Sequence, residues 1–177
     1  SQRLHPVAAV LLGAVERRVG TGHQGFQRFV LAAAQGVPGA EIQNMVDGLR
    51  RRLGASAAAL GEKYRLDGPH ARHVASLAVR LFDDLQSEHG LGARDRLLLE
   101  VAALLHDIGI FVNLRGHHKH AQYILSVSEI FGLSREDMAI ISNIARYHRR
   151  AAPNKSHLPY MALDSDARVL VNKLGAI

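Results

Sequence analysis

The chain has 177 residues, of which 47% are hydrophobic, so it is long and apolar enough to bury a core. It contains no cysteine, which excludes disulfides, thiolate metal sites and a cysteine nucleophile. Lysine and arginine exceed aspartate and glutamate by 22 − 16 = 6, and this basic balance favours anionic partners such as phosphate compounds. No apolar run reaches the roughly 18 residues that cross a bilayer, so we expect a cytoplasmic protein without a membrane partner.

The hydrophobic pattern is helical throughout, because no segment sustains the alternation typical of a strand. Helices are predicted over residues 7–19 and 26–35, and a Gly-Val-Pro-Gly turn at 36–39 ends the second of them. This turn is the best candidate boundary. We therefore predict an N-terminal helical segment at 1–40 and a second domain at 41–177.

The second domain is also predicted to be all helical. Residues 40–66 indicate one or two helices with an interruption near Gly54, and Asp67 is placed to cap the next helix ahead of Pro69. The helix predicted at 93–108 is apolar nearly all round, so we expect it to be central and buried. The remaining predicted helices cover residues 70–89, 118–131, 134–147 and 163–174.

A glycine-rich stretch from Gly20 to Gly25 fits the pattern of a dinucleotide-binding loop. That kind of site needs a strand before the loop and an acidic residue after the following helix. The preceding segment is predicted to be helical, so an ordinary glycine turn is the better interpretation.

A His-Asp pair, His106 and Asp107, follows the apolar run from Leu97 to Leu105 directly. A buried carboxylate is costly unless it has a partner. That partner is either a metal ion or a buried arginine or histidine, and the pair alone does not decide between them.

Three further histidines share helical faces with apolar residues, which turns them toward a common core. These groups are His70 with Val74, Leu77 and Leu81; His120 with Ile124, Val127 and Phe131; and His148 with Ile141 and Ile144. Four such histidines on separate helices favour a metal site over simple packing. The predicted ligands are His70, His106, Asp107, His120 and His148, with His73, His117 and His118 as rivals. We expect one or two divalent ions of iron, manganese or magnesium, with zinc as an alternative.

Basic residues surround the predicted ligands in the segment 113–157, which has seven basic and three acidic side chains. A metal ringed by cations suits a phosphorylated small molecule or polyphosphate, whereas a merely solvated basic face is the alternative. The predicted phosphate-binding residues are His118, Lys119, Arg146, Arg149 and Arg150. Nucleic acid is not expected, because only 5% of the residues are aromatic. The oligomeric state stays open, a homodimer included.

The order His70, His106-Asp107, His120, His148 resembles the HD superfamily, whose signature is His, then His-Asp, then Asp on an all-helical fold. Several motifs in order resemble the C-terminal HD-like domain of the exopolyphosphatase/guanosine pentaphosphate phosphatase family over about residues 56–177. They are Tyr64 to Asp67, His70 to Val74, Leu81 to Asp83, Ala103 to Gly109, His117 to Ile124 and Arg146 to Arg150.

The resemblance implies an HD-like helical bundle around a His/Asp metal site and a metal-dependent phosphohydrolase in which Asp107 and Lys119 act in catalysis. The alternative is a non-catalytic polyphosphate- or nucleotide-binding domain. The intact His-Asp residues favour the enzyme, whereas the resemblance favours the binding domain, because the family's phosphatase site lies in N-terminal domains that are not recognised here. The last signature aspartate is not matched, and neither Asp164 nor Asp166 is assigned to it. We therefore expect the domain to be truncated at its C-terminal end and to bind metal more weakly than a longer version.

Overall fold

The computed structural model describes residues 39–149 and 152–177, and within this part every regular element is a helix. The helices are α1 Gly39–Lys63, α2 Gly68–Asp84, α3 Gln86–His89, α4 Ala93–Leu105, a 3₁₀ helix Ile108–Phe111, α5 His117–Ser126, α6 Arg135–Tyr147, α7 Leu158–Met161 and α8 Ser165–Leu174. The all-α fold class is therefore confirmed. The helices predicted at 7–19 and 26–35 lie outside the described residues. Among the helices described, none has the length and apolarity to cross a membrane.

Several predicted helix boundaries were wrong, and two of them bear on the site. Helix α1 continues without interruption through Gly54, which is exposed and has no heavy atom within 4 Å of an added Cβ. A single exposed glycine only weakens a helix, by about 1 kcal/mol relative to alanine, so the chain continues past it. The helix predicted at 93–108 ends at Leu105, and the chain turns at His106 and Asp107 before the 3₁₀ helix.

Contacts divide the chain into two compact units, residues 1–53 and residues 54–177. The second unit contains every predicted site residue. The boundary predicted at 40/41 stays a prediction.

Helix α4 lies at the centre of the second unit, where it packs against both α2 and α6. Its buried side chains are Leu98, Leu99, Val101, Ala102, Ala103 and Leu105. Helix α5 packs against α6 and the 3₁₀ helix, and α8 adds a further layer on α6. Burial of these apolar faces stabilises the bundle, at about 25 cal/mol for each Å² removed from water.

Helix α2, which carries His70, and helix α6, which His148 follows directly, both begin at an N-cap residue whose side chain accepts a backbone hydrogen bond. The Asp67 carboxylate accepts a hydrogen bond from the backbone N–H of His70, as the sequence predicted. Ser134 and Asp137 form a reciprocal capping box at the start of α6. Arg94 of α4 pairs with the largely buried Asp137, which ties the central helix to α6.

Candidate metal centre

Asp107 lies at the junction between α4 and the 3₁₀ helix, where it is the residue before Ile108. Because α4 ends at Leu105, the chain leaves the helix at His106 and turns both side chains of the His-Asp pair into the interior. The side chain of Asp107 is 19% exposed and that of His106 is 11% exposed. The two carboxylate oxygens of Asp107 face different histidines.

Oδ2 of Asp107 faces the first pair of histidines. It lies 3.2 Å from Nε2 of His106 and 3.7 Å from Nε2 of His70. The His70 side chain comes from the first turn of α2 and is half exposed. These three residues offer ligand atoms that all lie within 4.8 Å of one another.

Oδ1 of Asp107 faces a second pair of histidines. It lies 3.2 Å from Nε2 of His117, and that nitrogen lies 3.2 Å from Nε2 of His148. His117 is the first residue of α5, and His148 follows the last residue of α6. Asp107, His117 and His148 form a second group within 4.8 Å, so Asp107 is shared between two ligand groups.

Three histidines of the cluster each donate a hydrogen bond from Nδ1 to the backbone carbonyl of the residue three positions earlier. His106 uses the carbonyl of Ala103, and His148 uses that of Ala145. His117 uses the carbonyl of Leu114. A carbonyl accepts only, so each Nδ1 carries a proton, and in the neutral form of each ring Nε2 is left as the lone pair that can bind a cation.

This arrangement fits a metal ion. Histidine ligands usually donate their second ring N–H to a carbonyl, which fixes both the tautomer and the ring orientation. In the neutral rings the Nε2 lone pairs of His117 and His148 face each other at 3.2 Å, and a cation bound by both nitrogens would relieve this repulsion. Neutral imidazoles with one carboxylate are typical ligands of divalent iron, manganese and zinc.

The position of His117 depends on two glycines. A Cβ on Gly109 would collide with the backbone carbonyl of His117 and the backbone nitrogen of Ala121, so the 3₁₀ helix touches the first turn of α5 directly. Gly116 precedes α5 with φ 79°, in the left-handed region that glycine adopts without strain. Both glycines bring the start of α5 against Asp107.

The charges of the cluster are coupled. The hydrogen bond from His106 holds the pKa of Asp107 below its usual value, against the opposing effect of burial. Burial acts to lower the pKa of His106, but its hydrogen bonds to Asp107 and Ala103 leave that pKa raised. Burial lowers the pKa of His148, and the nearby His106 and His117 act in the same direction. A charged Asp107 and a neutral His148 are the forms that bind a cation.

Four of the five residues predicted as ligands meet in these groups, and His120 does not. His70, His106, Asp107 and His148 come together, while His117 takes the place for which His120 was named. His120 is half buried and belongs to neither group among the described residues. The spacing of His117 with the buried Ala121 and Ile124, at i+4 and i+7, was the available signal.

The helix faces that the sequence assigned to His70 and His120 are only partly buried. The buried face of α2 consists of Ala71, Ala75 and Phe82, whereas Leu77 and Leu81 are exposed, so His70 lies at the edge of the core. Val127 and Phe131, assigned to the face of His120, are exposed as well, because α5 already ends at Ser126.

The predicted phosphate-binding residues differ in burial. Arg146 is buried, and its Nη1 atom has no hydrogen-bond partner among the described residues. Nδ1 of the half-buried His118 also has no partner there, and burial together with Arg146 lowers the pKa of His118 to about 4. Lys119 and Arg149 are exposed, and Arg150 lies outside the described residues.

A sequence model of the family "Ppx/GppA phosphatase, domain III" matches residues 52–174. The chain belongs to this family. The match begins within α1 and ends at the last residue of α8, so it contains both ligand groups.

The chain is also similar to curated proteins named guanosine-5′-triphosphate,3′-diphosphate pyrophosphatase. The protein from Pseudoalteromonas translucida is 34% identical over 89 residues, which are 50% of this chain and 18% of the relative. That from Vibrio campbellii is 26% identical over 132 residues, which are 73% of this chain and 27% of the relative. The chain therefore spans about a fifth to a quarter of the length of these relatives.

Proposed function

We propose that the chain is a metal-dependent phosphohydrolase of the HD type that acts on a phosphorylated substrate such as a nucleotide or polyphosphate. The single observation that carries the proposal is the sharing of Asp107 between two histidine groups. Membership of the Ppx/GppA family supports a phosphorylated substrate, because the similar curated proteins are named as pyrophosphatases of a guanosine polyphosphate.

His70, His106, Asp107, His117 and His148 would hold the metal, as one ion or as two ions that share Asp107. A bound divalent ion lowers the pKa of a coordinated water and so supplies a nucleophile at neutral pH. The chain's own contribution is to fix the ligands, since the Nδ1 anchors of His106, His117 and His148 hold each ring in place.

Phosphate oxygens would be held next to the cluster by His118, Lys119 and Arg146, with Arg149 at the rim. The unpaired Nη1 of the buried Arg146 supports this role, because a buried guanidinium donor without a partner is costly unless an anion or water binds it. The ring of His118 lies 5.7 Å from that of His117, so His118 stands directly beside the ligands.

Metal analysis and an activity screen test the proposal. Protein purified without chelator should carry manganese, iron, magnesium or zinc and should release phosphate from a panel of phosphomonoesters, nucleotides and polyphosphate. The variants Asp107→Asn and His117→Ala should lose both metal and activity, while His120→Ala should retain both. Activity that survives in metal-stripped Asp107→Asn would contradict the proposal.

A second candidate is a non-catalytic domain that binds polyphosphate or nucleotide within an exopolyphosphatase-like enzyme. The observation that favours it is the match to domain III alone, over about a fifth to a quarter of each relative. In that case the chain should bind polyphosphate or nucleotide in a salt-sensitive manner, yet release no phosphate with any of the four metals added.

A further inference from the structure

A cleft of about 380 Å³ opens beside the first ligand group. Two of its lining residues, His70 and Asp107, belong to that group, and the others are Tyr64, Arg65, Leu66, Asp67, Ile110 and Phe111. This volume lies within the roughly 300–1,000 Å³ typical of sites for small organic ligands. A ligand in the cleft would therefore have one end at the candidate metal centre.

The cleft walls are mainly apolar, and they include an exposed aromatic ring. Phe111 is 55% exposed, and its ring meets the ring of Tyr64 edge-on at 5.4 Å between centroids. This contact fixes the orientation of Phe111 while its remaining surface stays open, together with that of Ile110. Exposed aromatic faces of this kind stack on nucleobases.

The cleft also contains a strained arginine. Arg65 has φ 53°, in the left-handed region, and it is the one non-glycine residue with positive φ in the described part of the chain. The hydrogen bonds Leu66 N–H to Gly61 and Arg65 N–H to Glu62 form a Schellman motif at the end of α1. Glycine is the usual residue at this position, so the arginine side chain is retained against a conformational cost.

We propose that this cleft binds the organic part of a nucleoside phosphate, with the base against Phe111, Ile110 and Leu66 and a phosphate held between Arg65 and the His70 side of the metal centre. The proposal rests on the proposed function for the position of the phosphate. What it adds is the place of the organic part in the cleft and the assignment of Arg65 and Phe111 as specificity-determining residues.

The charges of the cleft favour a nucleoside phosphate over linear polyphosphate. Arg65 is the single arginine or lysine in its lining, which also includes two carboxylates, Asp67 and Asp107. A chain of phosphates carries a negative charge on every unit and would need a row of cations along its path. One cation with apolar walls instead matches a ligand that has one charged end and one aromatic end.

Calorimetric titration of the full 177-residue chain tests the proposal. The probes are GMP, ribose 5-phosphate and tripolyphosphate, added to protein in EDTA so that turnover is excluded. We expect GMP to bind at least about fivefold more tightly than ribose 5-phosphate, which corresponds to one stacked base. Phe111→Ala should remove this difference, whereas Phe131→Ala, which deletes a similarly exposed ring outside the cleft, should preserve it.

Arg65→Gly separates binding from folding. Glycine relieves the positive φ, so the melting temperature should not fall, while the affinities for GMP and ribose 5-phosphate should both decrease by about tenfold. Arg80→Ala removes an exposed cation of α2 that does not line the cleft, and it should change neither affinity.

Two results would overturn the proposal: equal binding of GMP and ribose 5-phosphate, or an unchanged GMP affinity in both Phe111→Ala and Arg65→Gly. Its failure is distinguishable from that of the proposed function. Manganese-dependent hydrolysis of p-nitrophenyl phosphate without any preference for GMP would overturn the nucleoside cleft alone. Base-dependent GMP binding in a chain that hydrolyses no phosphoester would support the cleft and overturn only the hydrolase.

Discussion

His117 and His70 both approach Asp107, but the fold holds them very differently. The His117 side chain is 7% exposed, is anchored through Nδ1 and lies 3.2 Å from the carboxylate. The His70 side chain is 52% exposed and lies 3.7 Å away, and its ring has no hydrogen bond to a carbonyl among the described residues. The His117 half of the cluster is preorganised, whereas the His70 half is open toward the cleft.

Because of this difference, we expect the two halves of the candidate centre to contribute differently to metal binding and to substrate access. Ligands fixed before binding lose little freedom when the ion arrives, so the His117 half should bind metal more tightly. A ligand at the open edge leaves space beside the ion for substrate, which is the property of catalytic rather than structural metal sites.

Substitution of Gly109 should have the largest effect, because it disrupts the preorganised half directly. In Gly109→Ala the added Cβ would collide with the backbone of α5 at His117. We expect a destabilisation of about 3 kcal/mol together with loss of metal binding, measured by chemical denaturation and metal titration. Gly54→Ala is the matched control, since nothing lies within 4 Å of its Cβ, and it should stabilise the chain slightly.

Removal of single ligands compares the two halves. We expect His117→Ala to weaken manganese binding by about 100-fold and His70→Ala by about tenfold, because the buried and anchored ligand contributes more. His120→Ala should leave the affinity unchanged. A larger loss in His70→Ala than in His117→Ala would reverse the comparison, and a large loss in His120→Ala would restore the ligand set predicted from the sequence.

Arg146 should matter for anions but not for the metal. Arg146→Met keeps much of the buried apolar stem and removes the unpaired guanidinium donor. Phosphate affinity should fall by about tenfold and lose part of its dependence on salt, while manganese affinity stays within a factor of two or so. Arg149→Ala, at an exposed position, should have a smaller effect on phosphate binding in the same titration.

The smallest expected effect concerns the surface pair that joins the helix of His70 to the helix of His106. Arg96 donates two hydrogen bonds to Asp83 and thereby lowers the pKa of that carboxyl. A lowered folded-state pKa stabilises the fold above the unfolded value and loses that contribution as pH falls through the folded value. Wild type should therefore melt slightly above Asp83→Asn at pH 6, and the gap should close below about pH 4. A gap that persists in acid would contradict this assignment.

The helical pattern predicted the bundle well, because apolar spacing and caps are local properties of the chain. Asp67 and the Ser134/Asp137 box mark helix starts that depend on neighbours three residues away. The end of α4 at Leu105 was missed, since the apolar Ile108 follows the His-Asp pair and no glycine or proline at His106 or Asp107 marks the turn.

The sequence predicted a set of candidate ligands but did not decide between His117 and His120. His117 and His120 are three residues apart, so both fit one helical face, and the choice depends on the approach of Gly109 to α5. That contact joins two elements and has no signature in either segment alone. The left-handed backbone of Arg65 was equally invisible, because arginine gives no indication of positive φ.

The anchoring of His106 and His148 to carbonyls within their own helix ends has a consequence for local opening. These two residues stand directly after α4 and α6, where helices fray first. An ion that holds both rings would have to be released before either end could open. Amide hydrogens in the last turns of α4 and α6 should therefore exchange with solvent more slowly when manganese is present, and exchange rates would report occupancy of the site without any substrate.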